Sequence, residues 1–189
     1  MQRIPRDAAD YPGILRSRLG ANAPEILVLI GDKALLRARR TALFCSARTP
    51  GDAILRAHDA ARRMRDEGAT VISGFHSPLE RECLRILLRG KQPIIVCPAR
   101  AIENMKIPKD CRSAFDAGRL LFLSTTGEQP KRITRESALR RNEFVAALAD
   151  DAYIAYISPA GETARVAQML DAWGVPRLES TLTHNLTET

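Results

Sequence analysis

The sequence predicts an α/β fold, a Rossmann-like, doubly wound and mostly parallel sheet flanked by helices. Three observations predict it. Short apolar runs alternate with amphipathic stretches of helical period from Thr41 to Leu178. Glycines stand where helices should end, at Gly68, Gly90, Gly118 and Gly174, the position that favours glycine after a last helical turn. Small polar residues gather just after the apolar runs, and ligands of open parallel sheets bind outside the carboxyl ends of strands. About six parallel strands are expected.

In chain order, residues 1–24 are broken by Pro5, Pro12, Gly13, Gly20 and Pro24, with a short helix at Ile14–Leu19. Ile26–Ile30 reads as a leading strand, Gly31-Asp32 as a turn and Ala34–Arg40 as helical. Thr41–Cys45 is the first core strand, followed by a helix over Asp52–Glu67. Thr70–Ser73, Pro93–Cys97, Leu120–Ser124 and Ala152–Ile157 read as the next strands, and Val175–Leu178 as a last short one. Helices are expected at Leu79–Arg89, Lys109–Ala117, Arg135–Ala149 (capped by Thr134) and Glu162–Trp173. Between them lies a polar loop, basic at Lys131-Arg132. The expected organisation is an N-terminal extension (1–40) packed on a Rossmann-like domain (41–180), with a flexible tail at 181–189.

Thr70–Gly90 is the most informative stretch. Gly74 follows the strand and permits close backbone approach. Ser77, Pro78 and Glu80 form the pattern of a capping box with proline at the first helical position. The helix end should then offer N–H groups and a positive dipole to an anion above the sheet.

The chain has 189 residues and a formal net charge of +7, with pI about 9.7, and arginine far outnumbers lysine. That balance favours polyanionic partners, because guanidinium binds phosphate in bidentate fashion. Aromatic residues are only 5% of the chain, against a stacking platform as the main binding device. No apolar stretch reaches the length of a membrane span, and the N-terminus lacks the apolar core of a secretory signal. A cytoplasmic protein is expected. Cys45, Cys83, Cys97 and Cys111 match no common zinc spacing; they read as reduced, buried thiols, with no metal and no cofactor.

The strand ends supply the candidate site. Ser46 and Arg48 follow the first core strand; Ser73, Gly74, His76 and Ser77 close the second; Ser158, Gly161 and Thr163 follow the fifth. Arg140, Arg141 and Asn142 sit in a helix whose Phe144, Val145 and Leu148 face inward. Hydroxyls, glycines and arginines converging on one edge suit phosphate binding. Neither G-x-G-x-x-G nor the Walker phosphate loop occurs. His76 reads as a loop or phosphate contact, since no second histidine lies near it. Glu80 and Glu162 read as first-turn acids favoured by the helix dipole, or as a nucleophile or base acting on an N-glycosidic bond. No catalytic residue is assigned.

The order of these motifs resembles the DNA-processing protein A family (DprA, also called Smf). Tyr11-Pro12 with Leu15 is similar to its YP..L opening, and Gly31-Asp32 with Leu35-Leu36 to its G-D/N…LL turn. Ala42–Arg48 with Pro50 stands where the family has a strand ending G-[ST]-R, and Ser73-Gly74 matches its SG. Arg141-Asn142 with Ala146–Leu148 matches its RN…aGL helix, and Ser158…Thr163-Ala164 its SGS…TA. The departures are Ser46-Ala47 in place of the first-strand glycine, Phe75–Glu80 in place of G-x-A-x-G-I-D, and Ser124-Thr125 in place of an acidic S-E. The chain reads as a short, divergent, stand-alone member without helical or winged-helix appendages.

The resemblance implies single-stranded DNA bound in a basic pocket that includes Arg48, Ser73, Gly74, Arg141 and Asn142. It also implies a homodimer, a recombinase as partner, and a role in DNA processing, recombination or uptake. The alternative on the same fold is a nucleotide-binding sensor or a nucleoside-monophosphate N-glycosidic hydrolase. Hydrolases of that kind carry P-G-G-x-G-T-x-x-E, whereas this chain reads Ser158-Pro159-Ala160-Gly161-Glu162-Thr163.

Overall fold

The computed structural model describes residues 1–46, 48–125 and 133–179. The expectations for Ala47, for the Lys131-Arg132 loop and for the 181–189 tail lie outside the described residues. Seven strands form one sheet: β1 (Gln2–Pro5), β2 (Ile26–Ile30), β3 (Arg40–Phe44), β4 (Thr70–Ser73), β5 (Ile94–Val96), β6 (Leu120–Thr125) and β7 (Asp151–Ile154). Their spatial order is β1-β2-β6-β5-β4-β3-β7. The run from β6 to β7 is parallel, while β1–β2 and β2–β6 pair antiparallel.

Successive strand residues face opposite sides, and the apolar residues sort accordingly. Leu43, Val71, Ile94, Leu120 and Tyr153 face one layer, packed with α2 (Gly51–Asp66), α3 (Pro78–Leu88) and α4 (Arg112–Asp116). Ala42, Phe44, Ile72, Ile95 and Leu121 face the other, packed with α1 (Gly13–Leu19), α5 (Arg135–Leu148) and α6 (Glu162–Ala172). Both faces are covered, which is why the parallel strands read as continuous apolar runs.

The α/β expectation holds, with four corrections. Five strands are parallel, not six. β1 was not expected, and it adds an antiparallel edge. Ala34–Arg40 is not one helix: a 3-10 turn covers Lys33–Arg37, and Arg40 already belongs to β3. Val175–Leu178 makes only the single bridge Ala152↔Arg177. Pro176 has no N–H to extend a ladder, although its carbonyl accepts from Ala152 N at 3.0 Å.

β3 is the topological switch point. It is bonded to β4 on one side and β7 on the other, and its helix α2 packs on one face while α5 and α6, which flank β7 in sequence, pack on the other. No helix among the described residues is long and apolar enough to cross a membrane. The four cysteines are buried and free, and among the described residues no group of three or more His, Cys, Asp or Glu gathers as a metal site.

Candidate nucleic-acid interface

At the carboxyl ends of β3, β4 and β7 lies a cleft of about 370 Å³, at the switch point where ligands of such sheets bind. Four segments line it. Ser46 and Arg48 come from the end of β3, His76, Ser77 and Glu80 from the turn after β4, and Arg141 and Asn142 from α5. Ser158, Gly161, Glu162 and Thr163 come from the turn after β7. A second cavity of about 380 Å³ lies by the N-terminal segment; Lys33 and Asp10 on its wall bond to each other at 2.8 Å.

Most of the expected residues thus come together, each held by local chemistry. The Ser46 hydroxyl accepts from Arg48 N at 3.3 Å, and Thr49 Oγ1 donates to Ser46 O at 2.8 Å, which shapes the turn. Arg48 is exposed. Thr163 Oγ1 accepts from Ser158 N at 3.0 Å, and Gly161 N donates to Ser158 O at 2.9 Å. Arg140, Ser73 and Gly74 do not line the cleft; the Arg140 guanidinium bonds Glu136 one turn back on α5 at 2.7 Å. Ser73 is fully buried beneath the cleft, where its hydroxyl accepts from Phe75 N at 3.2 Å.

Arg141 is the central group. It is only 6% exposed, yet it lines the cleft. Its Nε donates to Asn142 Oδ1 at 2.9 Å, and Nη1 lies 3.5 Å from the carbonyl of Cys97. Burial lowers its pKa from the usual arginine value, and the nearby Glu80 carboxylate opposes that shift; a guanidinium still stays charged.

Gly74 is what lets Arg141 sit there. A Cβ on Gly74 would stand 1.5 Å from Arg141 Nη1 and 2.0 Å from Cζ. The space over Gly74, expected to receive a phosphate, is taken by this guanidinium.

The sequence reading also expected the α3 N–H groups to face an anion. The turn that leads into α3 is instead satisfied within the chain, and Glu80 N and Arg81 N of its first turn are bonded to Ser77. Glu80, 6% exposed, accepts from His76 N at 2.7 Å and Ser77 N at 3.1 Å through Oε2, and from Cys45 N at 3.2 Å through Oε1. Ser77 Oγ accepts from Glu80 N at 3.2 Å, completing the capping box. Glu80 is therefore an internal anion that ties the turn after β4 to the end of β3. Phe75, between them, holds φ at 46°, rare for a bulky residue and typical of a turn fixed by its surroundings.

By contrast, α6 begins at Gly161 with no side-chain cap. Of its first turn, Glu162 and Thr163 line the cleft. Of the nearby thiols, Cys45 lines the cleft and is pushed up by its contact with Cys83 and by burial, and burial raises Cys97 to about 12.

The geometry can be set beside known proteins. The profile of the family described as DNA recombination-mediator protein A matches residues 2–169. The chain belongs to that family. The structure of DNA processing protein A from Streptococcus pneumoniae superposes with a TM-score of 0.76 at 16% identity, covering 99% of this chain and 66% of that one. DNA processing protein A from Helicobacter pylori superposes with a TM-score of 0.69 at 19% identity, covering 97% of this chain and 81% of that one; that protein is described as binding single-stranded DNA in a unique mode. This family chain thus spans just under two thirds of the pneumococcal protein. No curated protein sequence matches it. Missed by sequence reasoning were the three-way grip of Glu80 and the Gly74–Arg141 contact; the capping-box pattern was the available signal for the first.

Proposed function

We propose that this family member binds single-stranded DNA in the cleft at the β3–β7 switch point, as part of DNA processing and recombination or DNA uptake. One observation carries the reading: a nearly buried arginine, Arg141, lines the cleft in space that Gly74 leaves open by having no side chain. An exposed arginine, Arg48, lines the same cleft, and the uncapped start of α6 borders it. These are phosphate-binding groups, and phosphate contacts position a strand without reading its bases. Residues 41–180 carry the DNA-handling cleft, and residues 1–40 complete the same sheet through β1 and β2. The protein works in the cytoplasm as a homodimer, with a recombinase as partner.

The test is fluorescence anisotropy of a short labelled oligonucleotide. Binding at low salt should weaken as salt rises, with a log–log slope of about −0.7 per neutralised phosphate. Arg141→Ala should remove a charge-assisted contact of about 1.5–3 kcal/mol, and the exposed Arg48→Ala should weaken binding with no effect on folding. Absence of binding at low salt, or wild-type affinity in both folded variants, would sink the proposal. Competition by a nucleoside monophosphate at equal strength would favour the nucleotide alternative.

A further inference from the structure

Among the described residues, three regularly spaced arginines of α3 lack the ion pairs that most arginines of α2 make. On α2, Arg56 pairs with Asp52, Arg62 with Asp59 and Arg65 with Asp66. On α5, Arg140 pairs with Glu136. On α3, Arg81, Arg85 and Arg89 (the last closing the helix) are all exposed, and among the described residues none has an ion-pair partner. The one exposed acid among them, Glu82, is engaged with His58 of α2 at 2.9 Å.

Spacing makes the three a single feature. Residues four apart share a helix face. Leu79, Cys83 and Leu87 are buried on the opposite face, so the arginines crown the solvent side. Each step rises about 6 Å, and the stripe is about 12 Å long. It starts one turn beyond Ser77 and directly after Glu80, both of which line the cleft, and runs back along the flank of the molecule. A regularly spaced line of uncompensated guanidinium groups, continuous with a phosphate site, matches the repeating charge of a nucleic-acid backbone. An acidic protein partner fits less well: none of the exposed large apolar residues lies on α3, and stable protein interfaces need apolar or aromatic anchors.

We propose that Arg81, Arg85 and Arg89 form a second, sequence-independent track for single-stranded DNA, which carries a strand leaving the cleft along α3. The proposal rests on the cleft reading above. It adds that site size and salt dependence must grow with strand length.

The experiment compares oligonucleotides of about 6 and about 20 nucleotides, within and beyond the reach of one small site, on wild type and on the triple variant R81Q/R85Q/R89Q. Glutamine keeps the helix propensity, and circular dichroism checks the fold. Both proteins should bind the short strand alike. The long strand should bind wild type more tightly, and the variant should lose that gain. With three contacts at about −0.7 each, the log–log salt slope on the long strand should fall by about 2, so that over a fourfold rise in salt wild type loses about 20-fold more affinity than the variant. Equal slopes and affinities for the long strand in the two proteins overturn the track while leaving the cleft reading intact. Loss of short-strand binding in the variant overturns it too, because the stripe would then belong to the cleft. If wild type binds neither strand, cleft and track both fall. If the variant fails only to bind a polyglutamate probe that wild type binds, the stripe is an acidic-protein surface and the track is overturned.

Discussion

At Gly74 the absence of one carbon decides where the central charge of the cleft lies. Gly74→Ala would drive a methyl into the Arg141 guanidinium, 1.5 Å from Nη1, and a buried side chain has few alternative positions. The expected outcome is a DNA affinity about tenfold or more below wild type, close to that of Arg141→Ala, with the helical circular dichroism retained. Unchanged affinity in the folded variant would show that the guanidinium adapts and that its seat is not what matters. Both partners were legible as motifs, Ser73-Gly74 at a strand end and Arg141-Asn142 in a helix. Their contact was not, because it joins residues far apart in the chain, and only the packing of α5 against β4 brings them together. Glu80 shows the same limit. Its capping role follows from spacing to Ser77, but its bond to Cys45 N needs the β3–β4 pairing.

At the scale of elements, the longer helices were legible: α2, α3, α5 and α6 all appear close to where the sequence puts them. The glycine stops divide in two. Gly68, Gly118 and Gly174 have positive φ, while Gly90 is required by contact, since a Cβ there would meet Gln92 Oε1 at 2.2 Å and Arg65 Cγ at 2.4 Å. What caps the end of α5 was not legible, because the cap comes from another helix. Arg18 of α1 donates to Ala147 O at 3.1 Å and Ala149 O at 2.6 Å, satisfying carbonyls that a helix end leaves open. Arg18→Ala should leave them buried and unbonded, at a cost of about 1–3 kcal/mol. The measurement is the urea midpoint; a midpoint equal to that of wild type would show that water replaces the guanidinium at no cost.

At the scale of the whole molecule, alternation of strands and helices announces a parallel sheet but not its order. The order depends on which strands meet, and that is a non-local choice. β1 was missed for a related reason: four residues with a proline and one buried side chain carry little periodic signal, and the strand forms only because β2 offers an edge. Its role can be tested by removing residues 1–5. Ile4 is 3% exposed and packs with Leu27 and Leu29, and full burial of such a side chain contributes about 1.5–3 kcal/mol. β1 also pairs with Ile26–Leu29 of β2, so its removal bares a row of backbone donors and acceptors on an apolar strand, a template for aggregation. The truncated protein should therefore unfold at lower urea and scatter light on concentration. The cleft lies at the other end of the sheet, between β4, β3 and β7, so the soluble fraction should bind the short oligonucleotide as wild type does. Stability and scattering equal to those of the intact chain would show that β1 merely lies on the edge; loss of DNA binding by soluble, folded protein would show that the two ends of the sheet are coupled.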